Sequence, residues 1–466
     1  MHIYDSVKKT KLLFEPIHSN KASIYVCGPT VYDDAHLGHA RSALAFDLLS
    51  RTLNILGYEV TLGKNFTDID DKIIKKVKET GKSLEEITSF YIERYLAEME
   101  ALGVQRANIE PKATQSLEAI KTMIQTLIDK DFAYVISTGD VYFDTSKDSN
   151  YGEISGRVAE DDVSQNRVQH TSEKRNPKDF ALWKACKNNE DICFDATFSK
   201  GRPGWHIECS AMIDKYFKGD GEYTIDIHAG GADLLFPHHE NEAAQSRCAT
   251  GHELAKYWMH NGFVQIDGEK MSKSLGNSFF LKDALKLYDG EVLRYYLNSV
   301  HYRNDFNFSE EELQLSKKRL DKLYRLKKRV SPGKASIANK NFKQKLLDAM
   351  SDDLNISMAL SHIDEMITTT NDALDENPKN KALKKETLAN IELIDILLGF
   401  GGKEPFSYFQ IGVDETLKEK INNLIEERIK AKKDKNFERS DAIREELASF
   451  GISIMDTSTG TLWEKI

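Results

Sequence analysis

Hydrophobic and polar positions near the start of the chain change from a strand pattern to a helix pattern. Residues 23–27 are mostly β-branched or aromatic, which predicts a buried strand. Residues 28–30 contain glycine and proline and end that strand, and Asp33 or Asp34 is expected to cap the next element. From Leu37 onward, apolar residues recur at helical spacing. A strand, a break and a helix form half of a doubly wound parallel sheet, whose ligands bind beyond the carboxyl ends of the strands.

Later parts of the chain predict a strand-containing insertion followed by helices. A short strand at 140–143 lies within the long segment 112–200, and helical periodicity is found at 291–297. From about residue 341 the pattern is helical, and one charged helix is expected over 413–450 before a small tail. Taken alone, this helical region is typical of an appendage that serves stability or pairing.

Two short motifs that lie far apart in the chain are each suited to phosphate binding. The first is His36-Leu37-Gly38-His39. His36 and His39 share one face of the first helical turn, where unpaired N–H groups and the helix dipole favour an anion. Gly38 leaves room for a base or a backbone to approach closely. The alternative interpretation is a capped helix with two solvated histidines.

The second motif is Lys270-Met271-Ser272-Lys273-Ser274, which follows an alternating run at 263–266. Lys270 and Lys273 supply mobile point charges that can surround a polyphosphate, and Ser272 supplies a hydrogen-bond donor. An ordinary basic loop would have the same composition. The presence of both motifs in this order favours an enzyme that activates a substrate with ATP.

These motifs and their surroundings resemble one enzyme family. HLGH at 36–39 and KMSKS at 270–274 resemble the HIGH and KMSKS pair of class I aminoacyl-tRNA synthetases. Three further segments, CGPTVY at 27–32, GWHIECS at 204–210 and FPHHENE at 236–242, resemble the cysteinyl-tRNA synthetases in particular.

The resemblance extends from about residue 24 to the C-terminus and implies a fold and a domain order. The fold is α/β: a doubly wound, Rossmann-like parallel sheet followed by a C-terminal α-helical bundle. The polar region 161–176 is expected to be a mobile surface loop. The implied domains are the first half of the catalytic domain with the HIGH-like motif (1–111), a connective-peptide insertion (112–200), the second half with the KMSKS loop (201–310), a helical bundle that contacts tRNA (311–402) and an anticodon-binding region (403–466).

Four residues form a candidate metal site. If Pro237 opens a helix, His238 and Glu242 project from one of its faces. With Cys27 and Cys209 they would supply two thiolates, an imidazole and a carboxylate, a ligand set that suits zinc. Buried core cysteines and a polar helix start would explain the same residues without a metal. All four match the zinc ligands of the family, so the resemblance implies one Zn²⁺ per chain.

The resemblance also implies roles for other residues. ATP binding and phosphate contact are implied for His36, Gly38 and His39 and for Lys270, Ser272 and Lys273, with Mg²⁺ accompanying ATP. Amino-acid binding is implied for Thr30, Trp205 and His228. Anticodon contact is implied for Phe437, Asp441 and Asp456, although relatives often have tryptophan where this chain has Phe437. A basic run at 317–345 suits the tRNA backbone, although a solvated helix would look the same.

Composition narrows the class of protein without identifying it. The chain has 466 residues, 40% of them hydrophobic and 30% charged, as in ordinary soluble globular proteins. The net charge of −10 argues against a uniformly basic nucleic-acid-binding surface. Five cysteines are too few and too scattered to predict a disulfide framework, so a cytoplasmic location is expected. We expect a monomer, with no secretion signal and no membrane span.

The function implied by the resemblance is activation of L-cysteine with ATP and transfer of the cysteinyl group to tRNA(Cys). Two alternatives remain open at this point. One is an ATP-dependent cysteine ligase that acts on a small-molecule acceptor in thiol biosynthesis. The other is a non-catalytic tRNA-binding paralogue.

Lys273→Ala is expected to lower the rate of amino-acid activation by about 10²-fold, because one preorganised cationic donor to the leaving pyrophosphate is removed. Metal content and amino-acid binding should be retained. ATP–pyrophosphate exchange, measured beside metal analysis of the same sample, checks this expectation. An unchanged exchange rate would contradict the assignment of Lys273.

Overall fold

The computed structural model describes residues 1–156, 173–186, 192–217, 219, 221–266, 269–270, 279–457 and 460–465. The strands, in chain order, are β1 (His2–Asp5), β2 (Thr10–Leu13), β3 (Lys21–Val26), β4 (Glu59–Lys64), β5 (Ala133–Val135), β6 (Val141–Phe143), β7 (Phe180–Ala185), β8 (Gly201–Pro203), β9 (Tyr223–Gly231), β10 (Glu253–Asn261), β11 (Val264–Ile266), β12 (Glu269–Lys270), β13 (Phe306–Phe308), β14 (Ile452–Thr457) and β15 (Gly460–Lys465).

The α-helices, in chain order, are α1 (Leu37–Ile55), α2 (Asp71–Thr80), α3 (Leu84–Ala101), α4 (Leu117–Asp129), α5 (Trp205–Phe217), α6 (Glu240–Thr250), α7 (Leu281–Leu287), α8 (Gly290–Leu297), α9 (Glu310–Val330), α10 (Lys340–Ser351), α11 (Ile356–Glu376), α12 (Lys381–Leu398), α13 (Pro405–Phe409), α14 (Glu415–Lys433) and α15 (Phe437–Ser449). Among the described residues, no helix combines the length and the apolar character needed to cross a membrane.

The chain folds as two compact units. One unit comprises Met1–Lys282, Val300–Ser309 and Leu347–Ser357. The other comprises Asp283–Ser299, Glu310–Leu346 and Met358–Ile466. The domain boundaries expected from the sequence divide the chain more finely than this and stay a prediction.

A four-stranded parallel sheet forms the centre of the first unit. Its strand order is β4–β3–β9–β10. The helix α1 connects β3 to β4, and α6 lies between β9 and β10. Because β3 and β9 are neighbours and their connections lead to opposite edges, the sheet has a switch point between them. The predicted doubly wound parallel sheet is therefore confirmed.

Helices cover both faces of this sheet. On one face, Tyr25 of β3 packs in an apolar cluster with Cys209 of α5 and Ala243 of α6. On the other face, the neighbouring residue Val26 lines a small cavity together with Phe46 of α1. Alternate residues of β3 thus point to two buried faces, which explains why the strand is almost continuously apolar.

The insertion contains more structure than the single strand predicted from its sequence. Strands β5, β6, β7 and β8 form one antiparallel sheet in that order. Trp183 of β7 is fully buried and shares a core with Ile207 of α5. Most of the expected polar loop at 161–176 lies outside the described residues. The structure also joins Cys186 and Cys193 in a disulfide, which the sparse cysteine count did not predict.

The second unit is helical, as the pattern from residue 341 predicts. Glu291 at the start of α8 is buried, and both its oxygens accept hydrogen bonds from the hydroxyl of Tyr324 on α9, at 2.7 and 2.9 Å. The single charged helix expected over 413–450 is wrong, because α14 and α15 are separate helices. Lys435 lies between them with a φ of 57°, a left-handed conformation that ends the first helix.

Asp226 of β9 fixes the position of this strand beside β3. Its carboxylate is buried and accepts hydrogen bonds from the backbone of Ser23 at 2.7 Å and of Ile17 at 2.6 Å. Asp226→Ala should lower the free energy of unfolding by about 2–5 kcal/mol, because buried donors lose their partner. Asp352→Ala is the control, since its carboxylate forms an exposed ion pair with Lys11 and should contribute less than about 1 kcal/mol. Urea unfolding of both variants measures the difference, and equal stabilities would contradict the role of Asp226.

Candidate metal centre and active site

Cys27 directly follows β3, so its side chain lies at the carboxyl end of the sheet, next to the switch point. The backbone N–H of Cys27 donates to the carbonyl of Ala229 in β9 at 3.1 Å, which continues the strand pairing by one residue. Gly28 comes next, where a Cβ atom would lie 1.6 Å from the carbonyl oxygen of Asn65. Only glycine fits at this close approach, and it allows the chain to turn away while Cys27 stays at the strand end.

Cys209 reaches the same place from α5. It is buried, and its sulfur lies 3.9 Å from the sulfur of Cys27. The helix begins at Trp205, whose ring stacks on His238 with centroids 4.2 Å apart and an interplanar angle of 16°. Trp205 is 40% exposed, so one side of the ring covers the site and the other faces solvent.

His238 and Glu242 come from the segment between β9 and β10. The sequence predicts that Pro237 opens a helix, but α6 begins only at Glu240 and a π-helical turn over Leu235–His239 precedes it. The predicted pairing nevertheless holds, because His238 Nε2 lies 2.6 Å from Glu242 Oε1. Both side chains are buried at the carboxyl end of β9.

The structure therefore brings together all four residues of the predicted metal site. Donor atoms of Cys27, Cys209, His238 and Glu242 lie within 4.8 Å of one another. The sulfur of Cys27 also lies 3.6 Å from Glu242 Oε1. Residues that are distant in sequence thus form one compact group of potential ligands.

The electrostatics of this group favour a cation. Burial opposes ionisation of Glu242, but the imidazoles of His238 and His228 hold the pKa of its carboxyl group well below the ordinary value. A hydrogen bond with Cys27 lowers the pKa of the Cys209 thiol to about 7, whereas burial raises the pKa of the Cys27 thiol well above its usual value. Burial alone would lower the pKa of His238, yet Glu242 and Cys209 raise it to about 10. A metal ion would replace the protons that these groups share.

The donor set fits zinc. Zinc in proteins is bound by thiolate sulfur, imidazole nitrogen and carboxylate oxygen, usually four donors at once, and this group supplies all three types. His206 supports the arrangement, because its Nδ1 lies 2.8 Å from Nδ1 of His238 and leaves Nε2 of His238 for the centre of the group. A hydrogen bond to the ring nitrogen that does not face the metal fixes the orientation of a ligating imidazole.

The first signature motif starts α1. His36 is the N-cap, its Nδ1 accepts a hydrogen bond from the N–H of Gly38 at 3.1 Å, and His39 Nδ1 accepts from the N–H of His36 at 3.2 Å. The two imidazoles stack with centroids 3.8 Å apart. The expectation that Asp33 or Asp34 caps this helix is wrong, because the histidines make the capping interactions themselves. The shared face predicted for His36 and His39 is observed.

The second signature motif is described only at its start. Lys270 is the last residue of β12, where it pairs with Gln265 of β11. Ser272 and Lys273 lie outside the described residues, so their expected roles stay predictions.

Comparison with known proteins decides the family. Residues 13–318 match the model of the class I (C) tRNA synthetase catalytic domain, residues 345–400 a DALR domain and residues 414–463 the cysteinyl-tRNA ligase anticodon binding domain. A cysteine–tRNA ligase of Sulfurovum sp. is 79% identical over 465 residues, which is 100% of both chains. One of Helicobacter pylori strain P12 is 59% identical over 467 residues, again covering 100% of both. The chain belongs to the cysteine–tRNA ligase family.

Solved structures agree on the fold of this family. A methionyl-tRNA synthetase of Mycobacterium tuberculosis in complex with methionyl-adenylate has a TM-score of 0.60 at 16% identity, covering 81% of this chain and 92% of its own. A leucyl enzyme of Agrobacterium radiobacter in a ternary complex with tRNA has a TM-score of 0.60 at 11% identity, covering 84% and 86%. At these identities the likeness concerns the fold alone.

In this member of the cysteine–tRNA ligase family, a second donor group overlaps the first. Cys27 and Glu242 also lie within 4.8 Å of His228 and His239. The sulfur of Cys27 is 3.4 Å from His239 Nε2, and His228 Nε2 hydrogen-bonds to the second oxygen of Glu242. Since both groups use Cys27 and Glu242, they are alternatives for one ion. The sequence predicted the first group and did not predict the second.

His260 is a site residue that the sequence did not predict. It lies on β10, is buried, and its Nε2 is 2.8 Å from Nδ1 of His239. Burial lowers the pKa of His260 to about 3, so its imidazole is neutral at physiological pH. The sequence signal that could have identified His260 is the alternation of side chains along a strand. Trp258 and His260 are two residues apart on buried β10, so their side chains lie on the same face of the sheet.

Of the residues expected to bind the amino acid, His228 and Trp205 lie beside the candidate metal group. His228 is fully buried in β9, opposite Tyr25 of β3. Thr30 follows Cys27 closely and forms a backbone bridge with Thr67. The contact of these three residues with a substrate stays a prediction.

The residues expected to read the anticodon lie in the second unit. Phe437 is the first residue of α15 and is 63% exposed, and Asp441 is exposed on the same helix. Asp456 on β14 forms ion pairs with Arg428 at 2.8 Å and Lys432 at 2.5 Å. Hydrogen bonds from these two cations hold the pKa of Asp456 below its ordinary value. A base that contacts Asp456 would therefore meet a carboxylate that already has partners.

Glu242→Gln should lower zinc affinity at least tenfold, because a neutral amide replaces the charged oxygen common to both donor groups. Glu240→Gln is a matched control, since Glu240 is equally buried on the same helix but binds the backbone of Gly152 and Ser155 instead. Metal content after dialysis against a weak chelator, measured by mass spectrometry, compares the two. Equal zinc retention would contradict the ligand role of Glu242.

Proposed function

We propose that this protein activates L-cysteine with ATP and transfers the cysteinyl group to tRNA(Cys). We further propose that Cys27, Cys209, His238 and Glu242 bind one Zn²⁺. One observation carries the proposal: two thiols, an imidazole and a carboxylate that could hold a metal ion lie together at the switch point of a class I synthetase sheet, in a chain that matches cysteine–tRNA ligases along its whole length. tRNA charging implies a cytoplasmic location. A monomer suffices, because the candidate donors and the first signature motif belong to one unit of one chain.

Metal binding at this position would explain how cysteine is distinguished from serine. The two amino acids differ by one atom, and a pocket selective for shape alone separates such near-isosteres by only about 10²-fold. When bound, zinc supplies a soft Lewis acid that prefers a thiolate to a hydroxyl. Trp205 and His228 would enclose the remainder of a small substrate beside the metal group.

The protein's own residues would act on the phosphates of ATP. The carboxylate of the amino acid is ionised at neutral pH, so its attack on the α-phosphate needs no general base. The requirements are alignment and stabilisation of phosphate charge. We assign phosphate contact to His36 and His39, approach of the nucleotide to Gly38, and binding of the leaving pyrophosphate with Mg²⁺ to Lys270, Ser272 and Lys273.

The second unit would bind tRNA. Exposed basic residues on α9, among them Lys317, Lys318 and Arg319, form a surface that suits backbone phosphates. Phe437, Asp441 and Asp456 are the proposed anticodon contacts. The match to an anticodon-binding domain at 414–463 favours tRNA charging over a cysteine ligase with a small-molecule acceptor, which has no use for such a domain.

Cysteine-dependent ATP–pyrophosphate exchange tests the first step, and charging of tRNA(Cys) tests the second. We expect about one zinc per chain, exchange with cysteine but not with serine, and loss of exchange after chelation that added Zn²⁺ reverses. The stoichiometry is measured by mass spectrometry on the protein as purified. Cobalt substitution gives a readout besides activity, because a sulfur-to-cobalt absorption band reports thiolate binding.

Three results would contradict the proposal. Full exchange activity in verified metal-free protein would overturn the role of zinc. Exchange without tRNA charging would favour the ligase with a small-molecule acceptor, and absence of exchange would favour the non-catalytic paralogue.

A further inference from the structure

The described residues after the second signature motif pair with the residues around the first. The N–H of Leu281 donates to the carbonyl of Ala35 at 2.8 Å, and the N–H of Leu37 donates to the carbonyl of Phe279 at 3.3 Å. Between these bonds, His36 and Phe280 form an antiparallel bridge. The start of α1 and the start of α7 are therefore held against each other through the backbone.

A single carboxylate adds a charged contact to this junction. Asp34 lies two residues before His36, and its Oδ2 is 2.5 Å from Nζ of Lys282. Its Oδ1 is 3.0 Å from a guanidinium nitrogen of Arg94 on α3. Only 8% of the Asp34 side chain is exposed, against about a third of each cation, 32% for Lys282 and 33% for Arg94.

Each cation contacts a different oxygen of the Asp34 carboxylate. The guanidinium of Arg94, which also lies 5.3 Å from the ring centre of the half-exposed Phe90 on the same helix, pairs with Oδ1 and leaves Oδ2 directed at Lys282. Lys282 is the second residue of α7, so the carboxylate links the segment before α1 to the start of α7.

The contact would act on the first signature motif. Removal of the Asp34 charge takes away the side-chain link between the start of α7 and the segment before α1, while the backbone bonds of Leu37 and Leu281 remain. A junction with fewer contacts allows more orientations of His36 and His39, and this freedom must be lost when the two imidazoles meet the phosphates.

We propose that Asp34 is a positioning residue for the ATP-dependent step, because it ties Lys282, near the start of α7, to the segment that leads into the first signature motif. It acts through Lys282 and does not contact the substrate. This inference rests on the proposed function only in identifying ATP as the ligand that both motifs bind.

Asp34→Asn tests this role in the full-length zinc-loaded protein. We expect the KM for ATP in pyrophosphate exchange to rise about five- to tenfold, since partly exposed ion pairs to a buried carboxylate are lost. The KM for cysteine and the zinc content should stay within about twofold of the wild-type values, because the metal group is not involved. Asp34→Glu restores the charge and should recover part of the ATP effect.

Asp148→Asn is the matched control. Asp148 is a buried carboxylate of the same unit that pairs with Arg247 at 2.7 Å, but it lies in the insertion and touches neither motif. Loss of the ion pair between Asp148 and Arg247 should leave the KM for ATP unchanged. An equal rise in both variants would show a general structural effect and overturn the inference.

A double-mutant cycle tests whether Asp34 acts through Lys282. Lys282→Gln should raise the KM for ATP in the wild-type background and have little further effect beside Asp34→Asn, because the same contact is already missing. Full additivity of the two effects would overturn the proposed link between Asp34 and Lys282.

Two measurements keep the inference separate from the proposed function. Hydrogen exchange of the Leu281 amide should be faster in Asp34→Asn than in the wild type, and the equilibrium affinity for ATP, measured by calorimetry without cysteine, should be lower. Unchanged exchange and unchanged ATP affinity would overturn the inference even if the enzyme charges tRNA. Conversely, wild-type protein that binds ATP but shows no cysteine-dependent activity would contradict the proposed function, and the effect of Asp34→Asn on ATP affinity would still decide the inference.

Discussion

Parallel hydrogen bonding between β3 and β9 brings together chain segments that are about two hundred residues apart. Tyr25 lies opposite His228 in this pairing, and Cys27 continues it by one residue. The thiol of Cys27 therefore reaches the sheet end where His238 and Glu242 emerge. A shift by one residue would turn the side chains of β3 to the opposite face and separate the donors. The site consequently depends on the register of two central strands that are buried on both faces.

Glu242 shows how charge can be kept in such a core. A buried carboxylate without partners is strongly destabilising, and removing one partner of a buried ionic group leaves the others uncompensated. Here one oxygen of Glu242 contacts His238 and the other contacts His228, and the sulfur of Cys27 lies near the first oxygen as well. Every member of the group thus constrains the others, which explains why so many titratable side chains coexist in an apolar surrounding.

Much of the fold could be predicted because the decisive patterns are local. The apolar run at 23–27, the glycine and proline after it and the helical spacing from Leu37 each reflect backbone preferences that tertiary contacts did not override. The cap of α1 was mispredicted because the histidines of the motif compete with Asp33 and Asp34 as acceptors, and spacing alone does not rank them. The break near Lys435 was missed because a lysine in a left-handed conformation carries no sequence signal comparable to glycine.

The donor set has a consequence for how the protein is made. Cys27 and Glu242 are separated by 215 positions, so the N-terminal thiol leaves the ribosome long before its carboxylate partner exists. A nascent chain cannot complete the group until β9 has entered the sheet and α6 has been synthesised. If the group binds zinc as proposed, the ion would be loaded late, after β3, β9 and α6 have come together. Metal knuckles differ, because their neighbouring cysteines can bind an ion while the peptide is still short.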